Sequence, residues 1–349
     1  MIQRQNTKKE AVSDMRQKKS FTICMALLPA AILLAAAAAL CLGQFRIPLN
    51  QIIAEFSGAG GNPANVRTVL FNIRIPRILM ALLGGAGLAC AGAAFQSFFA
   101  NPLATPDTLG VANGASFGAA LAILLGLGAM QVQLLSFAFG VLSVLLVFSV
   151  TRTGGSSRPS MIMVILAGMV ISSLFSALVS LVKYAADPQD VLPVITFWLM
   201  GSFSGITRSS LMMGGPVIAA GTLLLFLLRF RLNALSLPED EAKALGVNLP
   251  LVRGLVIAAA SAVTASVVSM CGVIGWVGLL IPHLGRMAFG NDNRRLLPFS
   301  AMAGGLFMLV SDSIARCATA YEIPVSILTA VVGAPVFLML LRKTGGFRA

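Results

Sequence analysis

Charge is what this chain has least of. Only 11% of its 349 residues are charged and 12 are acidic, against 57% hydrophobic residues and a mean hydropathy of +0.90. That scarcity excludes an ordinary soluble domain, in which about a quarter of the residues carry charge. There is one histidine, His283, and no HExxH pair, which excludes a histidine-built zinc hydrolase centre. No GxxxxGKS or GxxxxGKT occurs, so the chain has no phosphate-cradling loop and no nucleotide motor of its own. With no nucleophile elbow or Ser/His pairing either, a membrane enzyme has no candidate catalytic residue. The five cysteines, Cys24, Cys41, Cys90, Cys271 and Cys317, fall in or beside apolar runs without paired spacing. They read as small hydrophobes, and neither a disulfide framework nor a metal site follows.

What the chain has is long apolar runs. A hydrocarbon core about 30 Å thick is crossed by roughly 20 apolar residues in helical form, because a helix satisfies its own backbone. About ten segments qualify, near residues 21–43, 75–99, 108–128, 132–151, 161–183, 209–230, 251–271, 273–286, 297–317 and 324–341. The expected fold is all-α, a polytopic membrane protein: a basic tail over 1–20, then one transmembrane domain over 21–349. The seventh and eighth segments share 36 residues, about 54 Å of helix, so one is expected to be short or broken at Gly272, Gly275 and Gly278. The outer connectors, 44–73 and 184–208, are apolar enough for helices lying in the interface.

Lysine and arginine are held on the cytoplasmic side during insertion. With ten crossings and both termini inside, 18 of the 25 basic residues fall on cytoplasmic pieces. The net charge of +13 is therefore a topology signal, and a nucleic-acid partner gains nothing from it. Residues 75–183 and 251–341 each hold four crossings that begin from opposite sides, the geometry of an inverted repeat.

Against this background residues 235–248, LSLPEDEAKALGVN, stand out. Ser236 and Glu239 have the spacing of a capping box, Pro238 suits a first helical turn and Gly246 a helix end. The segment is either a solvated connector or a docking element on the cytoplasmic side. A membrane subunit lacking a motor needs a surface on which one can push.

Charge within the spans is rarer still. Asp312 is the acid plainly inside a span, with Arg316 four residues on, either as its pair or presented outward. Arg74 and Arg77, in RIPRILMALLGG, either snorkel at the outer interface or dock carboxylates of an external protein. Gly110, Gly114 and Gly118 recur at four-residue spacing, for close helix packing or to line a pathway.

These residues resemble a known family. RIPRILMALLGGAGLACAGAAFQSFFANPLATPDTLGVANGASFG, then GVIGWVGLLIPHLGRMAFG with NRRLLP, and EIPVSILTAVVGAPVFLMLLRK resemble the FecCD-type permeases over roughly residues 45–343. These are the membrane subunits of ABC importers for iron-siderophores, haem and vitamin B12. The resemblance implies ten helices per subunit and a second permease subunit, homodimeric or paralogous. It also implies two cytosolic ATPases that use ATP and Mg, an extracytoplasmic binding protein, and a bacterial or archaeal cytoplasmic membrane. No cofactor is expected on this chain.

It further implies an ATPase-coupling segment within 232–253, with Ser236, Pro238, Glu239, Asp240, Glu241, Ala244, Leu245 and Gly246 as its residues. Arg74, Arg77 and Arg316 would meet the binding protein, and Ser160 would lie near a cytoplasmic gate. The function expected is inward passage of an iron-siderophore or related metal chelate by alternating access. Haem or vitamin B12 is the alternative within the family. An ion-coupled secondary carrier is the alternative from another class, and one outer-end aspartate is poor material for it.

Overall fold

The computed structural model describes residues 2–58, 64–152, 161–319 and 321–343. In chain order they form α1 (Ile2–Cys41), α2 (Leu49–Ser57), α3 (Ala64–Thr68), a π-helical segment (Val69–Arg74), α4 (Ile75–Phe98), α5 (Val111–Leu124), α6 (Ala129–Arg152) and α7 (Met161–Ala185). There follow α8 (Val191–Leu199), α9 (Arg208–Leu227), α10 (Arg229–Ala234), α11 (Glu239–Ala244), α12 (Leu249–Cys271), α13 (Val277–Phe289), α14 (Asn293–Cys317) and α15 (Val325–Lys343).

Among the described residues seven helices are long and apolar enough to cross a membrane: Lys19–Cys41, Asn65–Phe98, Ala129–Thr151, Met161–Ala185, Arg208–Leu227, Leu249–Cys271 and Asn293–Cys317. The third, eighth and tenth expected crossings are the shorter apolar helices Val111–Leu124, Val277–Phe289 and Val325–Leu340. The weak junction expected after the seventh crossing is real. Gly272 turns to φ +71° and Trp276 to φ +70°, and the helix resumes only at Val277. The 13 residues of α13 rise about 20 Å, too little for a full crossing. The outer connectors do hold short helices, among them α2 and α8, each with one buried side chain, Ile52 and Ile195.

α4 and α12 form the centre and pack on each other. α4 also packs on α13 and α14, while α12 packs on α5 and α6; α5 pairs with α6 as α13 does with α14. Each contact thus has a counterpart when α4–α7 is exchanged for α12–α15, the correspondence expected of the inverted repeat. Lipid tails are as apolar as leucine, so this centre is held by close packing, with little hydrophobic drive between helices. A β-carbon built on Gly92 would lie 1.8 Å from the Gly278 carbonyl oxygen, and one on Gly85 would lie 2.3 Å from that of Gly304. The backbone of α4 therefore touches those of α13 and α14 directly.

α1 packs along α14 and otherwise exposes Leu27, Leu33 and Leu34, as a lipid-facing helix does. The connectors alternate between two ends. One, the basic end, bears Arg229, Arg231, Arg253, Arg294 and Arg295; the other is called the far end below.

Candidate functional site: a projecting segment and a buried arginine cluster

Helical structure in the polar segment is confined to the six residues of α11. Pro238 stands at its N-cap with φ −51° and ψ 144°, so Ser236 lies two residues ahead of the cap and the expected capping box does not set this helix start. The closure is as expected. Gly246 adopts φ +72° and donates to the Lys243 carbonyl at 2.9 Å, and the Val247 N–H reaches the Ala242 carbonyl at 3.2 Å, a Schellman ending.

Ser236, Pro238, Asp240, Glu241, Ala244, Leu245 and Gly246 are all exposed. Leu245, 67% exposed, puts an apolar side chain at the tip of an acidic helix. Ala242 is fully buried and packs with Ala234 of α10 and Leu249 of α12, which fastens the small helix to its neighbours. The Asp240–Lys243 pair at 3.8 Å is solvent-exposed and adds little. The segment is a fixed, outward-facing surface. Ala242, the residue that anchors it, went unnoticed in the sequence because alanine carries no chemical signal.

The arginines are elsewhere than expected. Arg74, Arg77 and Arg316 are 2%, 3% and 5% exposed, so the reading of these guanidiniums as a docking surface is corrected. The reason is the helix itself: α3, the π-helical segment and α4 run without a break from Ala64, so Arg74 and Arg77 sit well inside a helix whose expected start was residue 75.

Each arginine has internal partners. Arg77 donates from Nε to both Asp312 carboxylate oxygens at 2.9 and 3.0 Å, with Nη2 2.8 Å from Oδ1. Its Nη1 donates to Glu322 at 2.8 and 3.0 Å. Arg74 donates to the Leu40 and Phe45 carbonyls, and Arg316 to the Ala39 carbonyl at 3.0 Å. Two guanidiniums thus satisfy carbonyls left orphaned at the C-terminal end of α1, where the helix dipole is also negative.

The expected Asp312–Arg316 pair is present, but as the weaker of two. Its closest approach is 4.0 Å, and Arg77 is the main partner of Asp312. Glu322, in the connector before α15, was missed because nothing near it in sequence marks it as a partner of α4. The cluster therefore ties α1, α4, α14 and that connector together at the far end.

The three glycines face neighbouring helices. β-Carbons on Gly114 and Gly118 would meet the Phe139 and Leu135 carbonyls of α6 at 2.5 and 2.4 Å. Gly110 belongs to the turn before α5, at φ +74° and against Ser172 of α7, and not to the same helical face. Ser160 lies outside the described residues. His283 packs its ring edge-on against Phe337 at 5.3 Å, and both its nitrogens are buried with no hydrogen-bond partner among the described residues. A cavity of about 730 Å³ opens at the far end, with Gln133, Trp198, Ser204, Thr207 and Met270 in its wall.

In the turn between α4 and α5, Asp107 accepts the Ala112 N–H at 2.7 Å. Burial pushes its carboxyl up to about 6, overriding the pull of the Ala112 and Asn113 N–H groups. The folded state therefore keeps a proton that the unfolded chain releases near pH 4. This contribution is greatest below about pH 4 and is lost as pH rises through about 6. Thermal unfolding in detergent should give a smaller drop in melting temperature between pH 5 and pH 7.5 for Asp107→Asn than for the parent. Equal drops would refute the assignment.

A helical membrane bundle with a projecting polar segment, no nucleotide loop and its buried arginines held by internal hydrogen bonds has the build of a membrane permease subunit. The chain belongs to the FecCD transport family, whose model matches residues 31–343.

It is 45% identical over 277 residues to the molybdate import system permease protein MolB of Haemophilus influenzae, covering 79% of this chain and 81% of that one. It is 36% identical over 342 residues to the vitamin B12 import system permease protein BtuC of Escherichia coli O6:H1, covering 96% and 98%. A Helicobacter pylori protein named "Probable iron chelatin transport system permease protein" is 38% identical over 283 residues, covering 81% and 85%. Among solved structures, an ABC transporter described as of metal-chelate type, in an inward-facing conformation, matches with a TM-score of 0.81 and 39% identity over 91% of this chain and 98% of that one. The chain is thus a membrane-spanning permease of the ABC importer type.

Proposed function

We propose that this permease works with two cytosolic ATPases that bind Mg-ATP, a second permease subunit that is either a copy of this chain or a paralogue, and an extracytoplasmic binding protein. The observation that carries the reading is the exposed surface of α11 and its flanks, from Ser236 to Gly246, on a chain with no nucleotide loop. The basic end is the cytoplasmic one, and closure of the ATPases on Mg-ATP moves the segment and switches the bundle between outward and inward access. The chain itself makes no covalent chemistry.

The substrate is an iron-siderophore or related metal chelate, a reading supported by the iron chelatin relative and the metal-chelate type structure. Molybdate is the second reading, favoured by the 45% identity to MolB, and vitamin B12 the third. Proteoliposomes holding the permease, its ATPase and its binding protein separate them. Radiolabelled ferric siderophore should accumulate with ATP, in the presence of an uncoupler. Accumulation of molybdate alone would transfer the assignment to the second reading, and uptake that collapses with the uncoupler at constant ATP would indicate an ion-driven carrier.

Coupling has its own test. Reversing Glu239, Asp240 and Glu241 to lysine should lower co-purification with the ATPase at least about tenfold, a loss of roughly 1.4 kcal/mol of binding. Unchanged recovery of the ATPase together with unchanged uptake would sink the coupling role.

A further inference from the structure

A line of half-buried and buried polar side chains leads from the α10–α11 segment into the bundle. Asn233, next to last in α10, accepts at Oδ1 from the Asn293 backbone N–H at 2.9 Å and from its side-chain amide at 2.8 Å. Its own amide donates to Asp292 Oδ1 at 2.7 Å. Asp292 is the N-cap of α14, accepting the Arg294 N–H at 2.9 Å.

Asn293 Oδ1 accepts the Ser97 hydroxyl at 3.0 Å, in the last turn of α4. Ser97 Oγ in turn accepts from Arg286 Nη2 of α13 at 3.3 Å, and the Arg286 Nε donates to Gln96 Oε1 at 3.2 Å. The Gln96 amide reaches the Gly278 and Leu279 carbonyls at 3.5 Å, at the start of α13. Gln96, Ser97 and Asn293 are each 2% exposed or less.

Buried polar groups are costly unless fully paired, and such pairing is directional where apolar contact is not. A seam that only had to pack would be served by small apolar residues, as the α4–α12 contact is where Gly84 and Gly87 meet Val267 and Val263. This one instead joins α10, α14, α4 and α13 by oriented hydrogen bonds. On its outer side, Ala234 follows Asn233 and packs on Ala242 of α11. On its inner side, the Gly92–Gly278 and Gly85–Gly304 contacts leave α4, α13 and α14 no slack to slide independently. A displacement of α11 has a continuous route into the block.

We propose that Asn233 is a positioning residue for transport, the joint through which movement of α10–α11 is passed to the α4–α13–α14 block. This rests on the coupling reading above. The permease–ATPase complex, with its native cysteines replaced and Ser204→Cys placed in the far-end cavity, reports the switch as a change in the rate of labelling by an aqueous maleimide. ATP should change that rate at least about fivefold in the parent, the low end of ordinary coupling between sites. In Asn233→Leu the ATPase should still bind and hydrolyse ATP within about twofold of the parent, while the labelling change falls below about 1.5-fold.

A full labelling response in Asn233→Leu overturns the proposal. So does a loss of hydrolysis in step with the labelling response in an assembled complex, since that is what a merely structural residue would give. If Asn233→Leu does not assemble, Ser97→Ala decides. It breaks the line between Asn293 and Arg286 while leaving Arg286 bonded to Gln96 and to the Ala93 carbonyl. The labelling change should then fall at least about twofold, and an unaltered response refutes the joint. A parent complex that assembles and hydrolyses ATP without any labelling change refutes both this proposal and the coupling reading. Coupling intact in the parent and unchanged in both variants refutes this proposal alone.

Discussion

Asp312→Leu is expected to destabilise the protein by about 3–5 kcal/mol, a large share of the roughly 5–15 kcal/mol that holds a typical domain folded. Asp312 is fully buried and accepts three close contacts from Arg77, which is itself 3% exposed. Removing the carboxylate leaves a guanidinium in an apolar bundle with Glu322 on one side only. The cost is less the lost attraction than the desolvation of a cation that no longer has its main partner.

The same physics predicts the rescue. Arg77→Met with Asp312→Leu removes both charges together, and should recover at least half of the loss. Glu322, its side chain 26% exposed, can turn to water when its partner goes. Denaturant unfolding in micelles of parent, both single variants and the double variant measures this directly. A single variant within about 1 kcal/mol of the parent would show that the cluster is not what holds the far end.

Gly92→Ala is the second large effect. One methyl is usually a small change, and alanine is the better helix former by about 1 kcal/mol. Here the added carbon would lie 1.8 Å from the Gly278 carbonyl oxygen, and that atom belongs to backbone, so no rotamer change relieves the overlap. α13 must move away from α4, and it cannot move alone. Gly278 lies against Pro106 and the Leu88 carbonyl, and α14 is seated on α4 at Gly85 and Gly304. The expected loss is about 3 kcal/mol or more, the upper range of overpacking. Gly58→Ala is the control, since nothing lies within 4 Å of its β-carbon position and only its φ of +70° opposes the change. Unfolding midpoints in one detergent compare them, and equal midpoints would contradict the close approach.

The crossings and the projecting segment were legible because both are local. Apolar run length reads out a span wherever the helix later packs, and the glycines at 272, 275 and 278 marked the break before α13. Gly246 marked the end of α11 because that turn needs φ > 0. The start of α11 was less legible. Pro238 shifts the cap position two residues past Ser236, and an extended proline before a helix looks in sequence much like one inside its first turn.

The arginines were misread for a different reason. Arg74 and Arg77 flank the apolar run that marks the second crossing, and residues beside such a run are usually interfacial. The stretch before them, from Ala64, is also helical and continuous with the crossing through a π-helical segment, so the helix is far longer than the minimum a crossing needs, and run length does not place its start. The Asn233–Gln96 line was invisible because its members are ordinary polar residues scattered over two hundred positions.

The sequence by itself determined the all-helical membrane class, the places of the apolar helices and the family, since each depends on composition, run length or contiguous motif. Only the tertiary structure decided what the charges do. Arg77 and Asp312 are 235 residues apart, and no local rule favours that pair over the nearby Asp312–Arg316 spacing. Which cation meets a buried carboxylate is set by where glycines let α4 and α14 close on each other. In a medium that solvates no charge, that contact turns apparent surface arginines into the bolts of the bundle.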